Sequence, residues 1–237
     1  MCAEELDTFI GHLETLRRVL LRCICLIVLF YPPAYFFSGP AIERLVMLSF
    51  PEPDSVLHYF APVEVFLVRL KFAFIISIIL SYPFNIFQVL GFLMPVFSFR
   101  QKIFLSWAAV GVSLLFAGGA FFSLFTVLPL LMKFSYSFAS PVLVPTIGLS
   151  AFMCTAGWLC LAFGMMFQTP LLVIVLVKIG ITSVKDLRQK RPYVLTVILI
   201  ISAILTPPDV LSQLILALPA AMLFELGIFS ASMIFSD

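Results

Sequence analysis

The chain has 237 residues, of which 62% are hydrophobic and only 11% are charged, and its formal net charge at pH 7 is +2. This is too little polar surface to cover a water-soluble globular protein. The composition therefore excludes a soluble globular protein and indicates an integral membrane protein. The apolar runs are long and lack the alternation of a membrane β-barrel, which predicts an all-α membrane protein.

Six apolar segments follow one another along the chain, and we predict that they form six transmembrane helices in one domain, residues 1–237. They cover residues 18–37, 66–90, 103–131, 150–177, 193–206 and 210–233. An even number of crossings places both termini on one side of the membrane. With the N-terminus inside, ten Lys and Arg residues flank the inner ends of the segments and four flank the outer ends, so the positive-inside rule favours an N-in, C-in arrangement.

The first segment follows the stretch HLETLRR, His12–Arg18. Arg22 interrupts its apolar run and no small-residue cleavage pattern follows it, so we expect this helix to stay in the mature protein. Residues 38–65 are rich in proline and acidic residues, which predicts an external loop or cap. Glu64 and Lys71 border its end, and we expect them either to form a pair that anchors this cap or to serve the function directly.

The third and fourth segments are joined by a second predicted outer loop, residues 132–149. The fourth segment contains FGMMFQTP, in which an amide, a hydroxyl and a proline adjoin at membrane depth. Gly164 and Pro170 predict a bend there, and Gln168 must face protein or trapped water because a lipid-facing amide would lose its hydrogen bonds.

The last two segments are predicted to be short. Residues 193–205 give a helix of about 20 Å at 1.5 Å per residue, against a hydrocarbon thickness of about 30 Å. The preceding loop, ITSVKDLRQKRPY, predicts a helical turn that begins at Thr182 or Ser183. In TPPDV two prolines end the fifth helix and Asp209 is suited to cap the sixth.

Four stretches together resemble the TatC family, the multi-spanning receptor subunit of the twin-arginine protein translocase. They are HLETLRR, LSYPFNIFQVLGFLMPVF, FGMMFQTP, and the run from GITSVKDLRQKRPYVL to LTPPDVLSQ. The resemblance implies a cup-like bundle in the bacterial inner membrane. It also implies a receptor that binds twin-arginine signal peptides of folded proteins on the cytoplasmic side and recruits partner subunits for export driven by the proton gradient.

Two groups of site residues follow from the resemblance. The signal-peptide group is Glu14, Thr15, Arg17, Phe92, Pro95 and Gln101. Thr15 and Gln101 stand where the family usually has glutamates, and Glu14 lies one position earlier, about 100° around the helix. Glu14 is therefore expected either to replace the displaced carboxylate for an arginine pair or to pair with Arg17 or Arg18 on a solvated face.

The second group is an intramembrane and partner-contact site. It comprises Gln168, Pro170, Thr206, Asp209 and Gln213. Gln168 occupies a position where the family carries a buried Glu or, less often, Gln. Because an amide cannot ionise, we expect it to be a hydrogen-bonding dock for a partner helix, or simply part of a packed kink.

The implied partners are single-span amphipathic translocase subunits of the TatA/TatB type, and we expect an oligomeric assembly without nucleic acid, cofactor or metal. A small-solute or ion transporter is the alternative, but it should show paired intramembrane charges or repeated halves, and neither is visible. An intramembrane enzyme would need a nucleophile and base, or metal ligands, at bilayer depth. We predict no enzymatic activity.

Overall fold

The computed structural model describes residues 2–50, 57–93, 99–138, 146–205 and 210–234, and these residues are almost entirely helical. The first helices in chain order are α1 (Cys2–Ser49), α2 (Glu64–Leu93), α3 (Phe99–Phe122) and, after a π-helical segment at Ser123–Val127, α4 (Leu128–Ser137). They are followed by α5 (Leu149–Met166), α6 (Thr169–Ile179), α7 (Val184–Gln189), α8 (Arg191–Leu205) and α9 (Val210–Ile234).

The described chain contains five stretches that are long and apolar enough to cross a membrane. They are Leu13–Ser49, Glu64–Phe92, Ser106–Ser137, Leu149–Ile179 and Gln213–Ile234. Many large apolar side chains on these helices are exposed, for example Phe36 at 80% and Leu29 at 68%. Such a surface suits lipid and not water, which confirms the predicted class of all-α membrane protein.

The predicted loop at residues 38–65 is wrong over its first part, because α1 continues to Ser49 and contains Pro32, Pro33 and Pro40. A proline inside a helix removes one backbone donor, and membrane helices tolerate this where neighbouring groups satisfy the freed carbonyl. The buried side chains of Leu45 and Ser49 explain why the last turns stay helical. Residues 132–137, predicted as loop, are likewise helical as the end of α4.

The shortness predicted for the last two helices is confined to α8. This helix has 15 residues, or about 22 Å at 1.5 Å per residue, which is less than the hydrocarbon thickness of about 30 Å. By contrast, α9 has 25 residues, about 37 Å, and is long enough to span. The number of crossings and the N-in, C-in arrangement stay predictions.

Two compact units make up the chain: Met1–Pro40 with Arg69–Leu114, and Ala41–Val68 with Leu115–Asp237. In the first unit Tyr31 donates its hydroxyl to the Leu70 carbonyl at 3.4 Å, and the rings of Phe30 and Phe84 stack at 5.5 Å. These contacts join α1 to α2. The single-domain organisation of residues 1–237 stays a prediction.

The second unit contains the packed junction of α6, α7, α8 and α9. Its buried centre is Val173, Phe224, Ile228 and Ala231. Gly227 on α9 lets α9 approach α6 closely, because a Cβ there would lie 2.9 Å from the Pro170 Cα and 3.2 Å from the Val173 Cβ. This junction fixes the position of the interrupted segment described next.

Candidate functional site

The N-terminal half of α1 carries the predicted carboxylate on an exposed face. Glu14 lies 3.4 Å from Arg18, with side chains that are 63% and 70% exposed. The neighbouring Thr15 donates its hydroxyl to the Gly11 carbonyl at 2.8 Å, and Arg17 is exposed. Of the two roles predicted for Glu14, the structure shows pairing with Arg18 on a solvated helix face, which contributes about 0.3–0.5 kcal/mol.

The other predicted signal-peptide residues belong to the same unit of the structure. Phe92 lies in the last turn of α2 and is half-buried. Gln101 lies in the first turn of α3, but its side chain and all of Pro95 fall outside the described residues. The structure therefore does not test whether these residues form one pocket with Glu14.

The bend predicted at Gly164 and Pro170 is a helix interruption. α5 ends at Met166, α6 begins at Thr169, and Phe167 and Gln168 lie between them. The Gln168 backbone N–H donates to the Met165 carbonyl at 3.0 Å, one residue short of the α-helical partner. This shift frees the Gly164 carbonyl, and the Gln168 side-chain Nε2 donates to it at 3.3 Å.

A second carbonyl is freed by Pro170, which has no N–H to donate to Met166 four residues earlier. The Thr169 hydroxyl donates to the Met166 carbonyl at 2.6 Å. Gln168 and Thr169 thus replace backbone donors within Leu149–Ile179, a stretch that is long and apolar enough to cross a membrane, where water would not supply them. The half-buried position of Gln168 agrees with the prediction that its amide does not face lipid.

Aromatic rings and glycines pack tightly around this interruption. A Cβ on Gly164 would lie 2.6 Å from the Phe116 ring, and a Cβ on Gly119 would collide with the Phe163 carbonyl oxygen. The Phe122 ring lies 5.8 Å from that of Phe163. Because Gly119 and Gly164 have no side chain, α3 can lie directly against α5. This close packing holds the interrupted segment in place.

The predicted partner-contact residues near the turn after α8 are only partly described. Thr206 and Asp209 lie outside the described residues. Gln213, in the first turn of α9, donates its side-chain amide to the Leu199 carbonyl of α8 at 3.1 Å. In this structure the side chain of Gln213 ties α9 to the short helix.

Glu64 anchors the segment before α2, but without Lys71. Its carboxylate accepts backbone N–H groups of Phe60 at 2.7 Å, Ala61 at 3.3 Å and Ser150 at 3.0 Å. The His58 carbonyl also accepts from Leu149 N–H at 2.8 Å. The anchor predicted for Glu64 is therefore a carboxylate bound to amides at the starts of α2 and α5.

The segment from α7 to the start of α8 is fixed by polar contacts of its own. Ser183 and Asp186 form the predicted helix start as a reciprocal capping box, and the hydroxyl and backbone N–H of Ser183, which both donate to the Asp186 carboxylate, lower the pKa of that carboxyl. Arg191 lies 2.6 Å from Glu225, with both side chains partly exposed. This ion pair joins α8 to α9.

Sequence reasoning missed the role of Thr169 and the binding partners of Glu64. A hydroxyl directly before a proline at membrane depth is a usable signal, since the freed carbonyl lies within reach of that side chain. Nothing in the sequence points from Glu64 to Ser150, because the two are 86 residues apart. In the described part of the chain, Cys23, Cys25, Cys154 and Cys160 are free thiols.

Comparisons with known proteins agree with the motifs. The family model described as "TatC: Sec-independent protein translocase protein (TatC)" matches residues 11–219. The Sec-independent protein translocase protein TatC of Escherichia coli K12 is 35% identical over 97% of this chain and 90% of its own length. The protein of the same name from Haemophilus influenzae is 32% identical over 96% of this chain and 90% of its own length.

Solved structures support the same relationship. The crystal structure of a twin-arginine translocase receptor, TatC, in DDM superimposes with a TM-score of 0.83 and 28% identity, and the match covers 93% of this chain and 99% of that one. A second crystal structure of a TatC receptor gives a TM-score of 0.82 at 29% identity, over 94% of this chain and 98% of that one. This chain belongs to the TatC family of Sec-independent protein translocase proteins.

Proposed function

We propose that this chain is the receptor subunit of a twin-arginine translocase in the bacterial cytoplasmic membrane. It binds twin-arginine signal peptides of folded proteins on the cytoplasmic side and recruits single-span amphipathic subunits of the TatA/TatB type for export driven by the proton gradient. It works by binding, without catalytic chemistry or a cofactor. Membership of the TatC family and the accessible carboxylate on α1 support this function.

The observation that carries the signal-peptide site is the state of Glu14. Its carboxylate is 63% exposed and its contact with Arg18 is 3.4 Å long, so an incoming guanidinium can replace Arg18 at a cost of about 0.3–0.5 kcal/mol. A bidentate contact with a signal-peptide arginine is stronger than this exposed pair. We therefore propose that Glu14 supplies the carboxylate that binds a signal-peptide arginine, because Thr15 carries no charge.

The test measures binding of a signal peptide to the purified protein, with an Arg-Arg and a Lys-Lys version. Glu14→Gln should weaken the Arg-Arg peptide roughly tenfold or more, since hydrogen bonds to charged groups contribute about 1.5–3 kcal/mol, and the loss should shrink at high salt. Arg18→Met should tighten binding about twofold because it removes the competing cation. Exchanging residues 14 and 15 should preserve or improve binding.

Each outcome decides between two readings of the site. If the wild type, Glu14→Gln and Arg18→Met proteins bind the Arg-Arg peptide with equal affinity, Glu14 is only a solvent-exposed residue of α1 and takes no part in peptide binding. Cross-linking of the peptide from positions 14, 15 and 101 locates the site independently. Failure of the wild type to bind any such peptide would reject the receptor function itself.

We further propose that the interruption at Gln168–Pro170 is the dock for the transmembrane helix of a partner subunit, with Thr206, Asp209 and Gln213 as a second contact. The Gln168 side-chain amide donates to the Gly164 carbonyl in a partly buried position, and a hydrogen bond between this amide and a polar side chain of a partner helix would contribute about 0.6–2 kcal/mol. Gln168→Leu should weaken partner cross-linking to this segment. Binding that changes with pH through position 168 would contradict this role.

The predicted topology belongs to the same proposal: six crossings, with α8 as the short fifth one and both termini inside. Thiol labelling of single engineered cysteines near residue 5 and near residue 186 should give the same sidedness. Labelling from opposite faces would reject the arrangement.

A further inference from the structure

A groove lies along the beginning of the short helix α8. Its lining residues are Lys190, Tyr193, Val194 and Val197, and its volume is about 370 Å³. Tyr193 and Val197 are exposed, at 73% and 52%. The floor is therefore apolar along one face of α8, and a single cationic side chain stands at its end next to α7.

Lys190 acts on the Asp186 carboxyl only at longer range, where its positive charge helps to lower the pKa of that carboxyl, and the nearby carboxylates make their short contacts with other groups. Arg191 is paired with Glu225 at 2.6 Å. The Asp186 carboxylate accepts from the Ser183 hydroxyl at 2.7 Å and from the Ser183 N–H at 3.2 Å. Within the described part of the chain, no acidic side chain lies within salt-bridge distance of Lys190.

The surroundings of Lys190 add positive charge to the same end of the groove. Lys185 and Arg188, on α7, are both exposed. The local charge therefore exceeds what Asp186 can balance. A basic cluster beside an apolar surface at the end of a membrane helix has the chemistry that attracts anionic lipid headgroups.

We propose that this groove is a binding site for an anionic phospholipid. Lys190 holds the headgroup phosphate and the face formed by Tyr193, Val194 and Val197 carries an acyl chain. A free phosphate would gain nothing from the valine floor, which is why the site is assigned to a lipid. α8 is about 8 Å shorter than the hydrocarbon layer is thick. A lipid bound at the start of α8 would therefore also fill the part of the layer that this short helix does not span.

The test uses the full chain in nanodiscs that contain phosphatidylcholine and a photoactivatable phosphatidylglycerol with the reactive group in its acyl chain. Cross-links are mapped by mass spectrometry to the peptide containing residues 193–197. Lys190→Gln should reduce this cross-link about fivefold, the factor that corresponds to the attraction of one basic residue to an anionic surface. Lys185→Gln is the matched control, since it removes the same charge from the neighbouring helix but does not line the groove.

Val197→Trp tests the apolar floor without changing any charge. It should reduce the cross-link at residues 193–197 while cross-links elsewhere on the protein stay the same. Unlabelled phosphatidylglycerol should compete, whereas inorganic phosphate should not. Equal losses in Lys190→Gln and Lys185→Gln would show diffuse surface attraction and overturn the site, as would a phosphatidylcholine probe that labels the peptide equally well.

Competition by inorganic phosphate would show a simple anion site and reject the lipid assignment. Signal peptides and partners are absent from the main measurement. Its failure therefore leaves the receptor function untouched.

Discussion

Gly118 and Gly119 are neighbours on α3, yet the structure gives opposite expectations for the same substitution. A Cβ on Gly119 would collide with the Phe163 carbonyl oxygen and lie 2.8 Å from the carbonyl carbon and 2.9 Å from Cγ of Phe167. A Cβ on Gly118 would meet nothing within 4 Å. Gly119→Ala should therefore disturb the packing of α3 on α5, and Gly118→Ala should not.

The magnitudes follow from two opposing effects. Overpacking a tight contact costs about 1–3 kcal/mol, and the obstacle at Gly119 is backbone, which cannot rotate away as a side chain would. Alanine gains at most about 1 kcal/mol over glycine inside a helix. A fixed backbone obstacle places Gly119→Ala in the upper part of this range, at about 2–3 kcal/mol, so the net loss is about 1–2 kcal/mol after the helix gain of about 1 kcal/mol, whereas Gly118→Ala should be neutral or slightly stabilising.

Thermal unfolding in detergent, followed by the loss of the monodisperse size-exclusion peak, measures both variants. At roughly 2–4 °C per kcal/mol for a chain of this size, Gly119→Ala should melt about 2–8 °C lower than the wild type. Gly118→Ala should melt at the wild-type temperature or slightly above. If Gly119→Ala melts as high as Gly118→Ala, the close approach of α3 to Phe163 does not exist in the folded protein.

Three further expectations concern polar contacts. Thr169→Val should lower the free energy of unfolding by about 1–3 kcal/mol because the Met166 carbonyl loses its hydroxyl donor. Thr169→Ser should keep this donor and the wild-type stability. Equal melting temperatures of the two variants would argue against this hydrogen bond. Glu64→Gln should speed hydrogen exchange at the Ser150 amide roughly tenfold, and an unchanged rate would mean that the carboxylate does not hold this helix start. The pKa of Asp186 is lowered in the folded protein, so the stabilisation from its capping contacts is full above the unfolded pKa of about 3.9 and is lost as pH falls through the lower folded value. Hydrogen-exchange protection in α7 should therefore hold from pH 7 to pH 5 and decline below about pH 3.9. Asp186→Asn should show no such decline.

The elements that depend on neighbouring residues could be predicted from the sequence. Apolar run length placed α2, α5 with α6, and α8 within a few residues of where the structure has them. The helix start at Ser183 and the interruption before Pro170 follow from side chains that act within four residues along the chain. Such signals are local, so no knowledge of the packing is needed to use them.

The parts that failed depend on partners far away in the chain. The prolines near residue 40 suggested a loop, but the burial of Leu45 and Ser49 in packed surroundings keeps that stretch of α1 helical. The contact of Glu64 with Ser150 and that of Arg191 with Glu225 span 86 and 34 residues. A carboxylate near a lysine in sequence suggested an ion pair, whereas backbone amides at a helix start bind it here.

The amide at position 168 is matched to the broken helix in which it lies. An ionised carboxylate has no proton to donate, so a glutamate at this position would lose the contact with the Gly164 carbonyl that Nε2 now makes at 3.3 Å, unless it stayed protonated. A protonated glutamate would restore a donor but would tie the segment to pH. A glutamine has no such pH dependence, because its side-chain amide donates the hydrogen bond at any pH. The interruption should therefore keep one geometry over the whole physiological pH range, and any response of this translocase subunit to the proton gradient must come from residues other than Gln168.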